Sequence, residues 1–128
     1  MRKLFNRLLK VSNQALSELR SLEAKENREL QMTLNDIEAV GYLGRYYAHK
    51  IAGSTNVALF RATKDKAYHD KAIADLERAL LEWQRFADKA LAQNKNPLWT
   101  NHVGMVDFKV ITQWVKEDID KVRSNPEL

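Results

Sequence analysis

Apolar residues recur at three-and-four spacing along nearly the whole chain, and this period predicts helices throughout. Phe5, Leu8, Ala15, Leu19 and Leu22 form a first stripe, broadened by Leu4 and Leu16 and interrupted by Ser12. That stripe predicts a helix over 3–24. The segment KENRE (25–29) holds neither Gly nor Pro but supplies Asn27, the best local N-cap, just before Leu30 reopens the apolar pattern. A second helix over 28–62 would be roughly 50 Å long. Two lines at heptad spacing run side by side along it, Leu34, Gly41, Ala48, Thr55 and Ala62 beside Ile37, Gly44, Ile51 and Ala58. A glycine costs a helix about 1 kcal/mol relative to alanine. Two of them on one face therefore predict a close-packing seam, Gly41, Gly44, Ala48, Ile51 and Ala58, where a neighbouring helix approaches closely. Gly53-Ser54 is the point where a kink is easiest.

Asp65 can cap a third helix over 66–93, with Tyr68, Ala72, Leu76, Ala79, Trp83, Phe86 and Ala90 inward and charged residues opposite. Asn96-Pro97 ends it, because the residue before proline is pushed out of α geometry. Asp107 can cap a fourth helix over 107–123, with Ile111, Val115, Ile119 and Val122 inward and Trp114 beside them. No strand-like alternation competes anywhere, so 94–105 reads as a loop. The expected fold is all-α, a single antiparallel four-helix bundle of one domain spanning 1–128, with a long central second helix.

Charge changes this picture little. The net charge of +4 is matched by Arg2, Lys3, Arg7 and Lys10, whereas acids and bases balance and interleave from Val11 onward. A nucleic-acid binder needs a basic stripe with interleaved aromatics, so nucleic acid is not the expected partner. A free-standing helical adaptor, or a weak nucleic-acid binder acting through the basic first helix, is the reading this leaves to charge. The first helix has too few aromatics and too blunt a polar face for a membrane-surface helix. No apolar run of about 20 residues is present, so no membrane span is expected. The N-terminal segment lacks the apolar core and small-residue cleavage site of a signal peptide. Without cysteine there is no disulfide and no thiolate nucleophile, and the compartment stays open.

Candidate chemistry is sparse. A di-metal bundle site needs Glu-x-x-His on two helices, and neither His49 nor His69 has Glu three residues before it. Asp65 and His69, four apart, predict a surface hydrogen bond. There is no Gly-x-Ser-x-Gly elbow and no Gly-rich phosphate loop. Asp36 and Glu38 point to different helix faces. No catalytic residue, metal ligand or cofactor is expected in this chain.

The aromatics remain. Trp83 and Trp114 have core spacing. Of the adjacent tyrosines, Tyr47 is expected inside and Tyr46 at the rim, since neighbours in a helix cannot both face inward. Trp99 sits in the 94–105 loop with Asn101 and His102. It can plug one end of the bundle or serve as a stacking platform for a sugar or a partner chain. Trp99, His102, Asn101 and Tyr46 are therefore the candidate contact residues.

Two resemblances add to this. Leu43-Gly44-x-x-Tyr47 resembles the first helix of a tetratricopeptide repeat, but helical periodicity continues to Ala62 and no second copy follows. The segments LNDIEAVGYLGRYYAHKIAGSTNVALFRATKD, ADLERALLEWQRFADKAL and VGMVDFKVITQWVKEDID, in that order, resemble the C-terminal helical region of large bacterial carbohydrate-active proteins similar to α-glucuronidases. In such proteins the catalytic carboxylates lie in a separate barrel domain, so no active-site residue carries over. The resemblance implies a non-catalytic accessory domain that packs on the catalytic domain of its parent or on a second copy of itself, with carbohydrate as an alternative ligand. It also implies a native protein extending beyond Met1. A parent acting in the periplasm or outside the cell would carry its export signal elsewhere.

Overall fold

The computed structural model describes residues 2–101 and 103–124. Its elements in chain order are α1 (Arg2–Leu19), α2 (Arg28–Thr63), α3 (Lys66–Gln93), β1 (Leu98–Thr100), β2 (Gly104–Val106) and α4 (Phe108–Ser124). The fold is an all-α bundle carrying one small β-hairpin.

Local chemistry sets the helix starts. The Asn27 side chain accepts from the Leu30 N–H at 3.0 Å, and that of Asp65 from the Ala67 N–H at 2.9 Å. Asp107 accepts from the N–H groups of Lys109 and Val110 at 2.9 and 3.2 Å. Each cap satisfies an otherwise orphaned backbone donor and stabilises its helix by about 1 kcal/mol. At the far end of α2, Lys64 takes a left-handed conformation and its N–H closes on the Phe60 carbonyl. Only Lys64 and Asp65 separate α2 from α3, which fold back as an antiparallel pair.

Small residues let this pair approach closely. Ala48 and Ala72 are fully buried and Ala79 nearly so. A Cβ on Gly53 would lie 2.8 Å from Leu76 Cγ and 3.3 Å from the Ala72 carbonyl. Helix α2 continues unbroken through Gly53-Ser54, the point where a kink is easiest, and Gly53 is packed against α3. Asn35 donates to the Lys89 carbonyl and Asn56 to the Asp75 carboxylate, fixing the register towards both ends.

Helix α1 lies antiparallel on α2. Leu16 sits over Gly41 and Ser12 over Gly44, where added Cβ atoms would come within 2.8 and 2.2 Å. Arg45 Nε donates to Asn13 at 2.7 Å, and the rings of Phe5 and His49 make a T-shaped contact. The helix stops at Leu19, five residues short of the expected end at 24. The Ser21 hydroxyl donates to the Glu18 carbonyl, and Lys25 turns left-handed, so side-chain and backbone bonds replace the helical ladder there. Leu22, expected inward, is exposed.

The short α1 also corrects the seam. It covers only the middle of a helix twice its length, so Ile37 and Ala58, at opposite ends of the second line, are exposed and Ile51 is half-buried. The face towards α3 is a different line, Ala39, Tyr46 and Gly53, all buried. Tyr46, not Tyr47, is therefore the inward tyrosine: its ring lies 5.3 Å from that of Trp83, while Tyr47 is exposed.

Helix α4 packs on α3. Trp83 Nε1 donates to the Thr112 hydroxyl at 2.8 Å, and Phe108 stacks near Trp83 and meets the edge of Phe86. Lys50 reaches the Asp118 carboxylate at 2.7 Å and joins α4 to α2. His69 does not bond Asp65. Its Nε2 lies 2.9 Å from the Val122 carbonyl, because α4 passes on that side of α3. Trp114, expected in the core, is 58% exposed; Val115 takes the buried position beside it. Tyr46, Ala79, Trp83, Ala87, Phe108 and Val115 form the hydrophobic core, with Leu98 and Val106 of the hairpin packed against it.

Candidate functional site

The expected loop at 94–105 contains two paired strands. β1 and β2 are antiparallel with Leu98 opposite Val106, Trp99 opposite Met105 and Thr100 opposite Gly104. Three residues per strand are too few to leave a period-two signal, which is why only a loop could be expected. The ends are tied by Asn96, whose side chain donates to Asp107 at 3.0 Å and accepts from the Phe108 N–H at 2.9 Å. At the tip, Gly104 has φ of +81°, and the Thr100 hydroxyl accepts from the Val103 N–H.

Alternation across this hairpin sorts its side chains. Leu98 and Val106 face the core, so Trp99 and Met105 face out together. Trp99 is 68% exposed, Met105 66% and Val103 at the tip 77%. Trp99 is therefore not a plug. The inward residues anchor the hairpin, and the outward pair is held by backbone pairing on a fixed base.

The candidate contact residues do not form one site. Tyr46 is in the core against Trp83, remote in role from any surface contact. Asn101 is exposed, two residues after Trp99. His102 lies outside the described residues. Met105 was not legible as the partner of Trp99, nor Val103 as an exposed residue at the tip, without the strand pairing. The signal for them was an apolar residue every second position after Asn101, too short to weigh.

Elsewhere, titratable groups meet between helices. His49 Nδ1 is buried and 3.6 Å from an Asp75 oxygen, without a hydrogen bond, and Asn56 donates to the other Asp75 oxygen. A His–Asp pair does nucleophilic chemistry only with a hydroxyl or thiol beside it. Here the Phe5 ring packs against the imidazole in a T-shaped contact. Among the described residues, no group of three His, Asp or Glu side chains could hold a metal ion. No described helix is long and apolar enough to cross a membrane. No family model, curated protein or solved structure matches the chain.

Proposed function

We propose that this chain is a non-catalytic docking module that engages a protein partner through the outer face of the 98–106 hairpin. The observation that carries this reading is the Trp99–Met105 cross-strand pair, exposed on a hairpin whose other face is fixed to the core. Trp and Met are enriched in interface centres, and a truncated tryptophan anchor commonly costs 2 kcal/mol or more of binding. Exposed alone, such a pair gains nothing from the solvent around it. The partner is the catalytic domain of a glycan-degrading parent protein or a second copy of this chain; the resemblance of the helical segments supports that choice.

Sedimentation of the chain, alone and mixed with the domain encoded beside it, tests the reading. A complex that Trp99→Ala weakens about thirtyfold or more is the expected result. The same variant should change unfolding stability by less than about 0.5 kcal/mol, since the ring lies at the surface. No complex in either experiment, or one indifferent to Trp99→Ala, would overturn it. A carbohydrate reading is favoured by one further observation, an exposed Trp99 ring with an exposed Asn101 two residues further along the chain. Oligosaccharide titration of a Trp99→Phe variant against the wild type separates the two: only a sugar platform gives a fluorescence change that the variant loses.

A further inference from the structure

We infer that a polar groove where the end of α1 meets α2 and α3 binds the phosphate group of a small soluble ligand. Three arginines line it, one from each segment: Arg20 just past α1, Arg45 on α2 and Arg85 on α3. Their cavity of about 350 Å³ is closed on one side by Leu16 and Leu19 and on another by Tyr42 and Glu38.

Two of the guanidinium groups are built into place. Arg45 donates through Nε to Asn13 at 2.7 Å and lies 3.7 Å from Glu82. Arg85 donates to the same Glu82 carboxylate at 2.9 Å, with its guanidinium 5.9 Å from the centre of the Tyr42 ring. Glu82 thus positions both heads while being itself largely buried. Arg20 is different: its side chain has no partner among the described residues, though it borders the same cavity. Glu38 is occupied by Lys89 at 2.7 Å and by the Tyr42 hydroxyl. Four cations, Arg20, Arg45, Arg85 and Lys89, therefore stand around two carboxylates, an excess of two positive charges.

That excess matches a phosphate monoester or inorganic phosphate dianion. A carboxylate has one charge and two oxygens, whereas three guanidinium groups drawn from three segments suit the higher charge and additional oxygens of a phosphate. Because the walls beyond Leu16 and Leu19 are polar, a soluble ligand fits better than an acyl chain.

Calorimetric titration of the whole chain at low salt tests this, with inorganic phosphate, glycerol 3-phosphate and acetate as probes. Saturable one-site binding of a phosphate probe is expected, with acetate at least about tenfold weaker. Tighter binding of glycerol 3-phosphate assigns the site to a phosphomonoester, and equal binding assigns it to inorganic phosphate. Arg20→Gln should weaken binding about tenfold or more while leaving the circular dichroism and melting temperature unchanged. Arg85→Gln should act in the same direction. Lys121→Gln, in the separate groove between α2 and α4, should leave binding unchanged. No saturable signal up to about 20 mM phosphate, acetate binding as tightly, or equal weakening by Lys121→Gln would overturn the assignment.

Discussion

Asp107 shows how much a single side chain organises here. Its carboxylate accepts from the Asn96 side chain and from the N–H groups of Val110 and Lys109, so one residue starts α4 and pins the hairpin to it. These donors hold its carboxyl below the ordinary aspartate range, the Asn96 hydrogen bond contributing most, followed by the Val110 N–H. A carboxyl whose folded pKa is depressed contributes stability that is complete above its unfolded value. That contribution is lost as pH falls through the folded one. The melting temperature should therefore fall as pH drops below about 4, and Asp107→Asn should make that fall shallower. Asparagine keeps the capping oxygen, so the helix start survives the change. Calorimetric scans from neutral to acid pH read it directly; parallel acid limbs in the two proteins would remove Asp107 from the account. The cap was legible beforehand because its chemistry is local, an oxygen and the N–H groups two and three residues on. The same holds for Asn27 and Asp65. The choice between Tyr46 and Tyr47 was not legible, because the residues are equally apolar and only the position of Trp83 on another helix decides the rotation of α2.

At the scale of elements, the contact of α1 with α2 is governed by what the glycines leave out. Above Gly44 the space is taken by the Ser12 hydroxyl, and above Gly41 by the Leu16 side chain, both buried. Gly44→Leu should overpack this contact and cost roughly 1–3 kcal/mol in urea unfolding. Gly44→Ala should be close to neutral: the hydroxyl, 2.2 Å from the new methyl, can rotate away, the Ser12 Cβ at 3.4 Å need not move, and alanine recovers about 1 kcal/mol of helix propensity. Wild-type stability in the leucine variant would mean that α1 does not rest there. The glycine spacing announced a close neighbour without saying which helix it was. It could not announce where that neighbour stops, because the end of α1 at Leu19 depends on Ser21 and Lys25 rather than on Gly or Pro. The hairpin was hidden for a different reason: its strands are shorter than any periodicity can register. The arginine groove was hidden for a third, since its residues lie on three segments that meet only when the helices are in register.

For the whole molecule, these contacts divide the bundle unequally. The hydrophobic core joins α2, α3, α4 and the hairpin, and none of its members comes from α1. Helix α1 buries Ser12 and Leu16, and is otherwise held by half-buried apolar residues and by the Arg45–Asn13 bond. Its connection to α2 is an eight-residue segment, 20–27, long enough to let it lift away without disturbing the α2–α3 pair. Elements with few buried apolar contacts open at lower free energy than the core they rest on. Native-state hydrogen exchange should therefore find α1 amides opening as a unit, before those of Ala72–Trp83 in α3, where Ala72 and Ala79 are almost wholly buried. Because the phosphate groove needs α1 in place to complete its wall, phosphate should slow α1 exchange and leave the α3 amides unchanged. If α1 proved as protected as α3 in the absence of any ligand, the bundle would be one cooperative unit, and α1 would have no separate opening for a ligand to suppress.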